Sequence, residues 1–388
     1  MRIAPISSLL LALALVPAAA GSYAGTAPAP AQAEQAAPGA QPAHRRAGVA
    51  LQQAAQFEHQ VTGVTVSERG RIFVNFPRWT EDAPVSVAEI LPDGQLRPFP
   101  DTEWNSWRNA RKDEVTARDH WVCVQSVVAD RRGNLWVLDP AAPAQGSVVP
   151  MGPKLVRIDL ATNRVAQTIA FDTTAAPQGS YLNDVRFSPD GRTAYITDSG
   201  ARGALLVVDL ASGTARRVLD GHPSTQPEKG VQVKADGKVL RRPDGRGVEF
   251  AADGIALSAD GGYLYWQAIK GRTLYRIATT ALADPTAAAS LPSRVETVGE
   301  NGPADGLLIA SDGRMYVTAP EDDAIKVRDA QGLRTLVQDA RLRWPDTMTE
   351  GPDGSLYVTS SRIQDMSWYK PQNPQALVTT LYRLTGMR

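Results

Sequence analysis

One short phrase recurs six times along the chain: a polar residue, an apolar stretch, a turn, then an aromatic or aliphatic strand. The copies open at Thr62, Gln125, Asn183, Asp253, Asp305 and Asp346, and a turn glycine follows each opening residue by eight positions. Self-similarity at intervals of 41 to 70 residues, with a strand pattern inside each copy, marks a β-propeller with one blade per repeat. After an opening strand, three more strand-like runs precede the next copy: 263–267, 273–277 and 294–298 in the fourth, 315–318, 324–327 and 334–337 in the fifth. Four strands make one blade. The last copy is one strand short, and the run 49–57 supplies it, joining the ends of the ring and removing exposed edges. The fold expected is therefore all-β, a single six-bladed propeller of four-stranded antiparallel blades over 47–388, closed by an N-terminal strand that completes the last blade.

The first 46 residues stand apart. Arg2, an apolar run from Leu9 to Val16 and Ala18-Ala19-Ala20 read as a secretory signal cleaved near Ala20, too short to span a bilayer. No cysteine follows the cleavage site, so no membrane anchor is expected and the product is secreted or periplasmic. Residues 21–46 are rich in Ala, Pro, Gln and Gly and cannot build a core, which makes them a disordered linker. Lys plus Arg equals Asp plus Glu at 41 each. Without a basic surplus to neutralise phosphates, nucleic acid is not an expected partner. The lone Cys123, between Val122 and Val124, reads as a small core residue.

Each opening residue starts the innermost strand of its blade, so Thr62, Gln125, Asn183, Asp253, Asp305 and Asp346 should share one level near the axis. Three carboxylates there would raise one another's pKa unless a positive charge sat between them. A cation bound by Asn183, Asp253, Asp305 and Asp346 relieves that repulsion. Oxygen-only donors select a hard ion, calcium before magnesium. The alternative is that these side chains only cap backbone amides at the strand starts. The Asp-Gly pairs at Asp190, Asp260, Asp312 and Asp353 are hairpin turns.

Several segments resemble the major royal jelly protein and yellow family: Phe73-Val-Asn-Phe-Pro-Arg78-Trp79, Asn183-Asp184-Val-Arg-Phe with Tyr195-Ile-Thr-Asp198-Ser, Asp220-Gly-His222-Pro-Ser, Asp253-Gly with Tyr265-Trp266-Gln and Leu274-Tyr-Arg, and Trp344-Pro-Asp346. More distantly, the chain is similar to the gluconolactonase, regucalcin and paraoxonase propellers. The resemblance implies a secreted six-bladed propeller that binds small molecules, and the lactonase relatives imply calcium held by an acidic first-blade residue and later-blade Asn or Asp. Asn183, Asp253 and Asp305 match the later positions. Thr62 stands at the first-blade position and Tyr181 where those lactonases carry a substrate-binding arginine, two departures that point away from lactonase chemistry. Asp346 restores the missing charge. The chain lacks the cysteines of insect yellow proteins and so resembles a bacterial offshoot.

Long loops at 101–121, 221–250 and 360–374 should emerge on the face of the ring and form an aromatic-walled cup over an acidic floor. Candidate ligand contacts are Arg78, Trp79, Trp121, Tyr181, Asp198, His222 and Trp368. The bland alternatives are loop packing for the tryptophans, a loop hydrogen bond for His222 and a stack of Arg78 on Trp79. Two functions fit these residues. One is a binding protein for a small molecule in an axial, lidded, calcium-containing pocket. The other is a calcium-dependent lactonase or esterase in which Asp305 or Asp184 activates water.

Overall fold

The computed structural model describes residues 48–387. The expected signal and linker lie outside the described residues. Six four-stranded antiparallel sheets follow one another as the blades of a six-bladed propeller. The innermost strands include Ser126–Ala129, Leu182–Phe187, Ala252–Leu257 and Pro345–Glu350. The last blade runs Pro345–Glu350, Leu356–Ser360, Thr379–Thr385 and then Ala50–Phe57, so the N-terminal strand closes the ring. No helix among the described residues is long and apolar enough to cross a membrane.

Strand alternation builds the core between blades. In the third blade, Leu206 and Val208 pack toward Trp136, Leu138 and Leu155 of the second. Leu205 and Val207, pointing the other way, pack on Leu264, Trp266 and Ile277 of the fourth. A period of two along each strand thus gives every blade two apolar faces, and each face meets a neighbour.

At the hub the inner strands crowd. A Cβ on Gly254 would lie 2.2 Å from the Asp305 carbonyl oxygen, and one on Gly306 would lie 2.1 Å from that of Asp346. Neither glycine needs a positive φ; each makes room for the next blade. The hydroxyls of Thr197 and Thr359 donate across the gap to the carbonyls of Asp253 and Thr62, both at 2.6 Å. Asn75 Nδ2 donates likewise to the Val124 carbonyl at 3.1 Å.

This crowding is testable. Gly306→Ala should destabilise the propeller by about 1–3 kcal/mol, because the clash is with backbone that cannot rotate away. Gly48→Ala, with nothing within 4 Å, should leave stability unchanged. Equal unfolding midpoints for the two variants would refute close hub packing as the role of Gly306.

Candidate functional site: a buried acidic chamber at the hub

The ladder between first and second strands breaks where three of the opening residues lie. Register shifts fall between Leu182 and Val185, between Ala252 and Gly254, and between Pro345 and Met348. Such breaks free a residue from pairing and re-aim its side chain. Asn183, Asp253 and Asp346 occupy these breaks, and Asp305 sits just before its strand Leu307–Ile309. Together with Gln125 they line one axial chamber, roofed by Trp79, Gln145, Phe250, Ile269 and Ile363. Its free space, about 10 Å³, admits roughly one water-sized sphere. Thr62 is buried but is not part of that lining; its hydroxyl accepts from Asn75 Nδ2 at 3.0 Å.

Polar contacts reach the ring mostly from its own members and their neighbours. Asn183 Nδ2 donates to Asp253 Oδ1 at 2.8 Å, and Trp344 Nε1 donates to Asp305 Oδ2 at 2.6 Å. Trp344 holds that pose at φ 52, a left-handed backbone that a bulky residue rarely adopts. Burial, before anything else, pushes the Asp305 carboxyl up to about 6, against the opposing hydrogen bonds from Trp344 and Asp253. Burial also raises Asp253 and Asp346 well above the ordinary carboxylate range, with the Asp305 charge as the next cause in each. No Lys, Arg or His among the described residues pairs with any of the three.

Below the ring, Asp184 is already balanced. Its Oδ2 accepts from Arg186 Nη1 at 2.8 Å, and its Oδ1 accepts from the Ser126 hydroxyl at 2.7 Å and its neighbour's N–H at 2.8 Å. Arg186 Nη2 reaches on to the Leu307 carbonyl at 2.9 Å, so an ion pair bridges the third and fifth blades beneath the chamber. Asp184 does not line the chamber. Three donors hold its two oxygens, at Arg186, Ser126 and Val185.

Above the ring, residues of the 221–250 and 360–374 loops gather, whereas the third loop expected there, 101–121, packs Trp104 and Trp121 in one separate cluster and Trp107 in another. Trp79, Val233, Leu240, Phe250, Trp344, Ile363, Met366 and Tyr369 form one apolar cluster, with Trp368 packed against it. Trp79 Nε1 donates to the Tyr181 hydroxyl at 2.6 Å, which donates to Gln125 Oε1 at 2.9 Å, so a hydrogen-bonded chain links the lid to the ring. The Trp79 and Trp368 rings meet at a tilt of 34° with centroids 5.8 Å apart. Cys123 lies beside this chain, and burial pushes its thiol up to about 12, as a core residue requires.

The other candidates lie elsewhere. Arg78 is fully buried and spends four of its five N–H donors on the carbonyls of Ala83, Trp121, Val122 and Asn105, which aims it at the backbone and away from any ligand. Trp121 is sealed under Trp104 and donates to the Phe99 carbonyl. Asp198 accepts from the N–H groups of Tyr181 and Gly200 and pairs with Arg217, fixing the loop before Asn183. His222 caps the short 3₁₀ turn Pro223–Thr225 through Ser224, and burial lowers its pKa. These four are structural clamps of the lid loops.

Sequence reading passed over Gln145 and Phe250, which line both the chamber and an adjoining cleft of about 220 Å³ bounded by Ser180, Tyr181, Arg242, Arg246 and Glu249. It also missed the buried pair of Lys154 and Asp139 at 3.0 Å, which holds the segment just before Gln125: Asp139 accepts from the N–H groups of Val122 and Cys123. Larger surface hollows, about 710 Å³ beside the second blade and 570 Å³ between the second and third, contain no ring residue.

The class so defined is a six-bladed propeller with a buried acidic chamber at its hub under a loop lid. Residues 122–381 match the major royal jelly protein family, and the chain belongs to it. No curated sequence matches the chain significantly. Among solved structures, a luciferin-regenerating enzyme aligns at TM-score 0.53 and 12% identity over 88% of this chain and 96% of that one. Regucalcin from Agrobacterium tumefaciens, described as calcium-binding, aligns at 0.51 and 16% over 86% and 94%. A gluconolactonase from Xanthomonas campestris aligns at 0.51 and 12% over 87% and 89%. At these identities the likeness is one of fold.

The indole contact gives the second test. Trp344→Phe keeps most of the buried ring but removes the donor to Asp305, at an expected cost of about 1–3 kcal/mol. Trp368→Phe, at a half-buried lid position, should cost under about 0.5 kcal/mol. Denaturant unfolding of the two variants checks the order; a Trp344→Phe protein as stable as the parent would show that the contact carries no weight.

Proposed function

We propose that the protein is an exported small-molecule-binding propeller whose hub holds a calcium ion and whose lid face holds the ligand against it. One observation carries this reading: three neighbouring carboxyls are fully buried with no cationic partner among the described residues. Buried charges without a partner are costly, and a cation is the remedy that keeps all three ionised. The donor set of Asp253, Asp305, Asp346, Asn183 and Gln125 offers only oxygen to an ion, which suits calcium on a rigid ring.

Among the described residues, no three acidic, histidine or cysteine side chains already stand at closed-site spacing. In the present contacts the Asn183 amide turns its nitrogen to Asp253, and Trp344 occupies one oxygen of Asp305. Turning the Asn183 amide over would give an ion its oxygen at the cost of the 2.8 Å bond to Asp253, a carboxylate whose charge the ion would then take up. Such an ion would offset two of the ring's three negative charges and could polarise a ligand oxygen. Regucalcin's description as calcium-binding agrees with this reading by analogy of fold. The leader-like residues before the propeller support export.

A calcium-dependent lactonase or esterase is the second reading. It is favoured by the Asp305 carboxyl, which burial pushes up to about 6, toward the range of a general acid or base. Thr62 and Tyr181 stand against it, since they replace the charged residues that lactonase propellers use.

Metal analysis and calcium titration decide the first point. One calcium per chain is expected, with a rise in Tm that Asp305→Asn and Asp253→Asn each abolish. The sign of the pH effect follows from the raised carboxyls. Without metal, the folded chain holds these protons more tightly than the unfolded one, so stability is full below the ordinary value of 3.8 and falls as pH rises through about 6 for Asp305. Calcium replaces those protons, so its stabilising effect should be larger near about pH 7 than near about pH 5. A metal-free protein whose Tm ignores calcium at both pH values would end the proposal. Turnover of lactones only with calcium would promote the second reading.

A further inference from the structure

We propose that the cleft between the 242–250 loop and the third blade is the mouth of the axial chamber and a subsite for a carboxylate-bearing small molecule, with Arg242 as the residue that takes the carboxylate. The inference builds on the chamber as the ligand site and adds the route and the charge of the ligand's outer end.

Position comes first. Gln145 and Phe250 form a wall common to both cavities, so displacing those two side chains joins them. Beneath the ring the Asp184–Arg186 bridge obstructs the axis, and above it the apolar cluster covers the rest of the face. At about 220 Å³ the cleft is smaller than the roughly 300–1,000 Å³ of pockets for drug-sized ligands, which limits its occupant to a small molecule.

Charge comes second. Three ionic side chains line the cleft, Arg242, Arg246 and Glu249, and two are accounted for. Arg246 pairs with Asp244 at 2.6 Å, and Glu249, on the same wall, pairs with Lys270 at 2.8 Å. Arg242 has no carboxylate partner among the described residues. Its guanidinium lies over the rings of Trp368 at 4.5 Å and Tyr369 at 5.8 Å. Stacking fixes the plane of an arginine while leaving its N–H edge free, which is the arrangement that receives a carboxylate through two parallel hydrogen bonds.

A third observation is independent of charge. Ser180, on the opposite wall, is 4% exposed, and its hydroxyl has no hydrogen-bond partner. A buried hydroxyl left single in a cavity wall is a contact awaiting a ligand atom.

The test uses a matched pair of probes on the intact propeller, phenylacetate and phenylacetamide, which differ in charge but hardly in shape. Calorimetry and tryptophan fluorescence, with Trp368 as reporter, should show the acid binding at least about tenfold more tightly than the amide. Arg242→Gln should erase that preference, whereas Arg246→Gln, whose charge is already paired, should change it less than about twofold. Circular dichroism of each variant verifies folding, and Arg242→Lys, which keeps the charge, should retain part of the preference. Equal affinity for the two probes, no binding of either, or a preference that survives in a folded Arg242→Gln protein would overturn the proposal. Calcium content measured on the same preparations separates this result from the cation reading. Preference without calcium would leave the subsite standing alone, and calcium without preference would do the reverse.

Discussion

Six inner strands converge on one axis, and at that radius there is no room for a Cβ where Gly254 and Gly306 lie. The rest of the molecule follows from this crowding. Because the backbones touch, the carbonyl of each ring residue is within reach of the preceding blade, and Thr197 and Thr359 use it as an acceptor. Because the ladder breaks beside Asn183, Asp253 and Asp346, their side chains are not directed by pairing. They turn to the chamber on the axis. The Asp-Gly sequence at the fourth and fifth blades therefore serves two neighbouring blades at once: the aspartate faces the hub, and the glycine lets the next aspartate come close.

Convergence carries an electrostatic cost that the lid increases. Each carboxylate alone could be hydrated at an open channel mouth. Here a cluster running from Trp79 to Met366 covers the ring, and Phe250 and Ile363 roof the chamber directly. Removing water lowers the local dielectric, so the three charges repel more strongly and burial dominates every pKa shift among them. A protein that needed the ring only as backbone caps could seat Asn or Ser at these positions without that penalty. Retaining three aspartates under an apolar lid is intelligible when a cation is their partner.

Much of this architecture was legible in the sequence, because a repeat repeats its geometry. The spacing from Asn183 to Gly191 is the spacing from Asp346 to Gly354, so the opening residues had to be equivalent in space, and the run 49–57 was the one strand left to close the ring. The loops follow no such rule. Arg78 and Trp79 are adjacent, yet one is consumed by four backbone carbonyls and the other roofs the chamber. Nothing in their local pattern separates them, since tertiary contacts decide which way each turns. Lys154 and Asp139 are register partners in the second blade, but their pairing matters only because Asp139 also holds the N–H groups of Val122 and Cys123 from a distant loop. Gln145 and Phe250 belong to no repeat and have no partner in sequence that would mark them.

The two ends of the axis are closed by different physics, and the difference gives the site a direction. Below the ring the closure is ionic: Asp184, Arg186 and the Leu307 carbonyl lock the third blade to the fifth, and opening that bridge would leave a charge unpaired. Above it the closure is apolar and built from loops, among them the segment around residues 141–145, where Ala141, Ala144 and Gln145 all hold positive φ. Side chains such as Phe250 and Gln145 can swing on single bonds without breaking an ion pair, and the strain in that loop lowers what a local rearrangement has to overcome. Any opening of the chamber therefore belongs to the lid face, on the side of the stacked guanidinium of Arg242, and the ionic bridge acts as the fixed floor.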